Sequence, residues 1–252
     1  MQLLAGKRIL VTGITNADSI AFRVAQIAQL EGAEVVVTAL PRAAAAASRA
    51  LAALPTTPEL IELDVTDAAQ LAALPAQVGP LDGLVHSIAF ASPKRALGGK
   101  FLDTEWDDVA LALHTSAYSL VSLTRALLQV FRESASVVGL TFDASASWPG
   151  YDWMGVAKAA LEGANRYLAR YLGPMGLRCN LVASGPIDTI AKTAIPGSAD
   201  YNDVWNQRAP LGWDASDATD PAKAVIVLLS DWLTATTGEI LFVDGGVHST
   251  GA

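Results

Sequence analysis

One cysteine, three histidines and a charged fraction of 17% leave this 252-residue chain without much of what several protein classes require. Cys179 has no second thiol to pair with, so no internal disulfide forms and a cytoplasmic protein is expected; within its strand-like segment it reads as a core residue. His86, His114 and His248 lack any metal-ligand spacing, so each reads as a structural histidine and no metal is expected. Cations are also scarce: 17 Lys plus Arg against 25 Asp plus Glu give a net charge of −8, which offers no footprint for a phosphate backbone, and nucleic acid is not an expected partner. No apolar run approaches the ~20 residues of a membrane span, so no bilayer contact is expected. The first residues lack the basic, apolar and small-residue pattern of a secretory leader. With no internal repeat and no Pro/Ser/Gly-rich linker, residues 1–252 read as one domain.

What is abundant is apolar: 52% of the residues are hydrophobic. Short β-branched runs alternate with longer helical patterns, the rhythm of a parallel sheet covered on both faces, and a Rossmann-type doubly wound α/β fold is expected. Seven strands are predicted: Arg8 to Thr12, Glu34 to Thr38, Glu59 to Leu63, Gly83 to Ser87, Ser136 to Thr141, Arg178 to Ala183 and Glu239 to Val243. Runs such as Ile9-Leu10-Val11 suit strands buried on both sides. Helices are predicted over Ile20 to Glu31, with Ser19 or Asp18 as N-cap, over Ala43 to Leu54, over Thr104 to about Val130, and over Tyr151 to Leu172. Ile187 to Arg208 is the one long stretch of weak pattern, and such stretches in compact domains are usually lids.

The first strand feeds Thr12-Gly13-Ile14-Thr15-Asn16-Ala17-Asp18-Ser19-Ile20, a turn into a helix N-terminus, where free N–H groups and the helix dipole favour a pyrophosphate. Only Gly13 of the usual glycine fingerprint is present, so on this turn alone a capped βα turn fits equally well. Asp64-Val65 follows the third strand; its carboxylate either accepts bonds from an adenine amine or caps the next helix. Ser87-Ile88-Ala89 follows the fourth strand, where small residues allow backbone to approach a ribose and nicotinamide. Tyr151 and Lys158 are seven residues apart, about 700° of helical rotation, so their side chains fall within roughly 20° of each other and about 10.5 Å apart along the axis. A phenol is protonated at neutral pH and can donate to an oxyanion.

Gly-Lys-Arg-Ile-Leu-Val-Thr-Gly at 6–13, Ser19-Ile20-Ala21, Leu63-Asp64-Val65, His86-Ser87-Ile88, Ser116-Ala117-Tyr118-Ser119, Tyr-x6-Lys at 151–158, Arg208-Ala209-Pro210 with Gly212-Trp213, and Asp244-Gly245-Gly246 stand in this order. Together they resemble the enoyl-[acyl-carrier-protein] reductases of the short-chain dehydrogenase/reductase superfamily, and most of all the mycobacterial NADH-dependent long-chain members. The resemblance implies NAD(H) held by Gly13, Ser19, Ile20, Asp64, Val65, Ser87, Ile88, Ala89, Lys158 and Ile187, with Thr189 near the phosphates. It implies hydride delivery to the β-carbon of an enoyl thioester on acyl carrier protein or coenzyme A, with Tyr151 stabilising the enolate oxygen. Phe142 matches the family's aromatic near the nicotinamide, and Met154, Trp148 and Trp205 are candidate acyl-pocket residues. Leu40 stands where NADH-using relatives carry an apolar residue, theirs an aromatic, so NADH is the favoured cofactor; no acid follows the second strand and Arg42 could suit a 2′-phosphate, so NADPH stays open. A homotetramer is implied. Two further readings are a tailoring enoyl reductase of a secondary pathway and a catalytically silent NAD(H)-binding sensor or scaffold.

Overall fold

The computed structural model describes residues 2–251. Strands and helices alternate from the start: β1 (Arg8–Thr12), α1 (Ile20–Leu30), β2 (Glu34–Ala39), α2 (Ala44–Leu51), β3 (Glu59–Glu62), α3 (Ala68–Val78) and β4 (Leu81–His86). There follow α4 (Trp106–Leu113), α5 (Ser119–Leu127), β5 (Phe131–Thr141), α6 (Asp152–Leu172), β6 (Arg178–Ser184), α7 (Ile190–Thr193), α8 (Ala199–Arg208), α9 (Thr219–Leu229) and β7 (Ile240–Val243). All strand pairs are parallel, in the order β3-β2-β1-β4-β5-β6-β7.

The apolar strand runs explain this layering. Ile9, Leu10 and Val11 are all fully buried, and they separate into two cores, one on each face of the sheet. Ile9 and Val11 join Val24, Ala28 and Ile226 under α1 and α9, while Leu10 joins Leu74, Leu120, Leu123 and Leu161 under α3, α5 and α6. Alternation of side chains across a strand sends neighbours to opposite faces, so both faces must be covered by helices. Truncating a fully buried leucine such as Leu120 to alanine would cost about 2–5 kcal/mol. Among the described residues no helix is long and apolar enough to cross a membrane, and no group of three His, Cys, Asp or Glu could hold a metal ion.

The expected elements are present, with instructive differences at their ends. Pro41 opens a short 3-10 turn before α2, so that helix starts after it. The long helix expected from Thr104 is two helices joined by a π turn over His114–Tyr118, and β5 begins earlier than expected, at Phe131, with Ser134 at φ 66 next to a register shift. The weakly patterned stretch after β6 holds two helices. In α8 only Tyr201 and Trp205 are buried, a single i,i+4 pair on a polar helix, too thin a stripe to read as periodic. Chain order reverses where β1 and β4 lie side by side, which opens a crevice beyond their carboxyl ends. Gly13 makes that junction close: its φ is +82, and a Cβ there would stand 2.0 Å from the Ser87 carbonyl oxygen.

Candidate active site

Beyond the carboxyl ends of β5 and β6 lies a cavity of about 260 Å³. Ile20 from the start of α1, Ala89 and Phe90 after β4, Phe142 after β5, Tyr151 just before α6, Met154 and Lys158 on it, and Ile187, Thr189, Ala191, Lys192, Ala194 and Ile195 from the segment after β6 contribute to its wall. Its lining is mostly hydrocarbon, interrupted by Tyr151, Lys158, Lys192 and a few hydroxyls.

Tyr151 and Lys158 share this wall, but the route differs from an ideal helix. Tyr151 is the residue before α6, and Asp152 after it has φ +40, a left-handed value that Asp tolerates better than most residues. The Asp152 carboxylate accepts the backbone N–H groups of Gly99 (2.6 Å) and Lys100 (3.0 Å), which ties the loop after β4 to the start of α6. The Trp153 N–H donates to the Ala96 carbonyl, and its ring stacks on Phe101 at 4.9 Å. Both anchors lie just after Tyr151 and fix the backbone from which its phenol projects.

Burial pushes the Tyr151 hydroxyl well above its ordinary pKa, reinforced by Tyr201 and Glu162, so it stays a donor across the neutral range. Lys158 is 7% exposed and donates from Nζ to the Leu140 carbonyl at 2.9 Å. Burial pulls its pKa down to about 8, with the Glu162 carboxylate opposing. Beneath them His86 is fully buried, and burial, with the Lys158 charge, holds it down to about 3. Ser119 Oγ gives its proton to the Thr115 carbonyl at 2.7 Å, so it accepts from His86 Nε2 at 2.7 Å, and the bare Nδ1 is left without a partner. Neutral His86 thus adds no charge beside Lys158.

Phe142 packs edge-on against Tyr151 at 5.3 Å and, nearly parallel, against Tyr201 at 6.0 Å. Trp148 and Trp205 lie outside the lining: they pack behind Phe142 at 5.3 and 5.6 Å, because Trp205 is only 2% exposed and closes against Trp148 at 5.1 Å. Of the acyl-pocket candidates, Met154 reaches the wall and these two do not. Ile20, Ala89, Lys158, Ile187 and Thr189 line the cavity, whereas Gly13, Ser19, Leu40, Asp64, Val65, Ser87 and Ile88 lie outside it, at or just past the ends of β1 to β4.

The alternatives left open by the sequence resolve locally. Ser19 caps α1, accepting from the Phe22 N–H at 3.2 Å, and position alone leaves the Ile20 and Ala21 N–H groups without intrahelical acceptors. Asp67, not Asp64, caps α3; the Asp64 carboxylate accepts from Thr66 N and Oγ1. A crevice running from a free helix N-terminus past Gly13 to a buried lysine and tyrosine fits a dinucleotide: anion-accepting N–H groups at one end, a ribose-sized approach at the strand ends and a hydrogen-bonding pair at the other.

A family description, "Enoyl-(Acyl carrier protein) reductase", matches residues 13–248. The chain belongs to the enoyl-(acyl carrier protein) reductase family. It is 45% identical to "Enoyl-[acyl-carrier-protein] reductase [NADH]" of Mycolicibacterium smegmatis and of Mycobacterium avium, in each case over 98% of both chains. It is 37% identical to "Enoyl-[acyl-carrier-protein] reductase [NADH] 1" of Rhizobium meliloti, over 99% of this chain and 93% of the relative.

Within this family frame, two parts of the site escaped sequence reasoning. Ser116, inside the π turn, bonds both the N–H (2.9 Å) and the carbonyl (3.0 Å) of Phe90 and so pins the loop that forms one wall. Insertion of a residue into the helical ladder is what aims it, and periodicity does not report such an insertion. Lys192 is the other: a cation on α7 that is 9% exposed and lines the cavity.

Proposed function

We propose that this chain catalyses NADH-dependent reduction of the 2,3 double bond of an enoyl thioester in fatty-acid-type synthesis, with the acyl group carried on acyl carrier protein or coenzyme A. The observation that carries this is the buried pair Tyr151 and Lys158 on one wall of an apolar cavity at the strand ends. NADH, held in the crevice by these residues, would supply the hydride for the β-carbon, and a proton from solvent taken up at the α-carbon would complete the reduction. The Tyr151 hydroxyl, kept protonated by burial, donates a hydrogen bond to the thioester oxygen, where negative charge develops. Such a donor in a water-poor site contributes about 3 kcal/mol to barrier lowering. Lys158, fixed by the Leu140 carbonyl, keeps two N–H bonds for the cofactor ribose. Phe142 holds the Tyr151 ring by edge contact and walls the nicotinamide end.

Gly13, Ser19, Ile20, Leu40, Asp64, Val65, Ser87, Ile88, Ala89, Ile187 and Thr189 make up the dinucleotide track in this reading, and Tyr151 and Met154 meet the acyl chain. Residues 187–208 act as the substrate lid of a single domain. NADH is favoured over NADPH by the activity named for the mycobacterial relatives; Arg42 is exposed beside Leu40 and forms no ion pair among the described residues. Exposed Tyr118, Val156, Tyr167 and Tyr171 along α6 and the turn packed on it leave apolar surface for a homotetramer, and the protein works in the cytoplasm. The deciding experiment is oxidation of NADH, followed by absorbance, against 2-enoyl-CoA substrates. Tight NADH binding with no enoyl-dependent oxidation would favour the silent sensor instead.

A further inference from the structure

The cavity wall carries a second buried cation that the reduction does not use. Lys192 sits on α7, and its side chain is 9% exposed, while that of its partner Asp188 is 47% exposed, so the carboxylate faces outward and the ammonium inward. Lys192 Nζ donates to Asp188 Oδ1 at 2.5 Å and to Asn202 Oδ1 at 2.6 Å, and Asn202 in turn donates to Asp188 at 3.2 Å. The lid backbone around it is fixed as well: Thr189 Oγ1 accepts the Lys192 N–H, and Ser198 donates to the Lys192 carbonyl at 2.8 Å.

A wall meant only for hydrocarbon would be served by an apolar residue here, since taking an ammonium out of water is costly and an ion pair repays that only with good geometry. The ion pair with Asp188 offsets that cost and fixes the head at the cavity wall. Asp188 and Asn202 take two of its three N–H bonds, which leaves one donor.

We infer that Lys192 is a specificity residue for an acyl chain that carries its own anionic oxygen, a carboxylate, so that the preferred substrate is a 2-enoyl thioester of a dicarboxylic acid rather than a plain fatty acyl chain. The inference rests on the enoyl-reductase reading above. In the complex the substrate carboxylate takes the third N–H as a charge-assisted hydrogen bond, and Asp188 and Asn202 hold the ammonium in place. No bond is made or broken at Lys192.

The test compares kcat/KM of the full-length wild-type chain, with NADH, for trans-2-hexenoyl-CoA and for its ω-carboxylate analogue, against Lys192→Met and Lys192→Gln. The two substrates share coenzyme A, so contacts of Lys192 to the carrier phosphates cancel in the ratio. The wild type should favour the carboxylate, and Lys192→Met should lower the carboxylate-to-methyl ratio by about tenfold or more, the loss of one hydrogen bond to a charged group, with Lys192→Gln between. Binding of the saturated product pair to the NADH complex, by calorimetry, should shift in the same direction and reads the preference without turnover. Equal losses for both substrates would make Lys192 a lid clip only and overturn the inference, as would an unchanged ratio. A wild type that binds the carboxylate ligand preferentially but reduces neither substrate would refute the reductase reading while leaving the Lys192 site standing.

Discussion

Alkaline pH should loosen NADH while tightening the empty fold, because both effects come from the same buried lysine. Burial lowers Lys158 from 10.5 to about 8, with Glu162 opposing. Above that value the ammonium that donates to the ribose becomes a neutral amine. The dissociation constant should then rise about fivefold over the first pH unit beyond 8 and level off where the extra worth of a charged donor, about 1.5–3 kcal/mol, has been lost. Stability moves the other way. Between about pH 8 and 10.5 the unfolded chain holds the lysine proton and the folded chain does not, so the unfolded state binds more protons and stability rises with pH. At about 1.4 kcal/mol per unit, the Lys158 contribution is on the order of 3 kcal/mol across that window. NADH fluorescence titrations and urea unfolding of the ligand-free chain from about pH 7 to about pH 10 measure the two curves, with Lys158→Met as the reference from which other titrating groups subtract. A wild-type affinity that stays flat across this range, or a pH response shared by Lys158→Met, would refute the assignment of Lys158 to the cofactor.

Removing only the Tyr151 hydroxyl, in Tyr151→Phe, should lower kcat by about 100-fold or more with NADH affinity unchanged; full turnover at saturating enoyl-CoA would remove Tyr151 from the oxyanion role. Gly13→Ala places a Cβ 2.0 Å from the Ser87 carbonyl oxygen at a φ of +82, so urea unfolding should show a loss of about 2 kcal/mol or more; a midpoint equal to wild type would mean that the β1–α1 turn yields freely. Light scattering at micromolar concentration should find a tetramer, and a stable monomer would show that Tyr167 and Tyr171, 68% and 70% exposed, face only solvent.

The alternation of strands and helices and the two-faced core follow from patterns that local windows of sequence display: Ile9-Leu10-Val11 and Val35-Val36-Val37 can be satisfied only between helices, whereas the order of the strands, and with it the crevice at the reversal, is read from the structure. Spacing also brought Tyr151 and Lys158 to one wall, although the helix phase that suggested it is broken at Asp152. Helix breaks of that kind depend on partners far along the chain, here the Gly99 and Lys100 N–H groups, and no local propensity encodes them. The same limit hid the π turn that aims Ser116 and the helices of the lid. It also left open whether Trp148 and Trp205 meet the cavity, where the structure packs their rings against Phe142 and outside the lining. Residue type and spacing determined which groups could do the chemistry. Tertiary structure decided which of them share an apolar cavity, and burial there turned an ordinary tyrosine and lysine into a firm donor and a lysine whose pKa is pulled down to about 8.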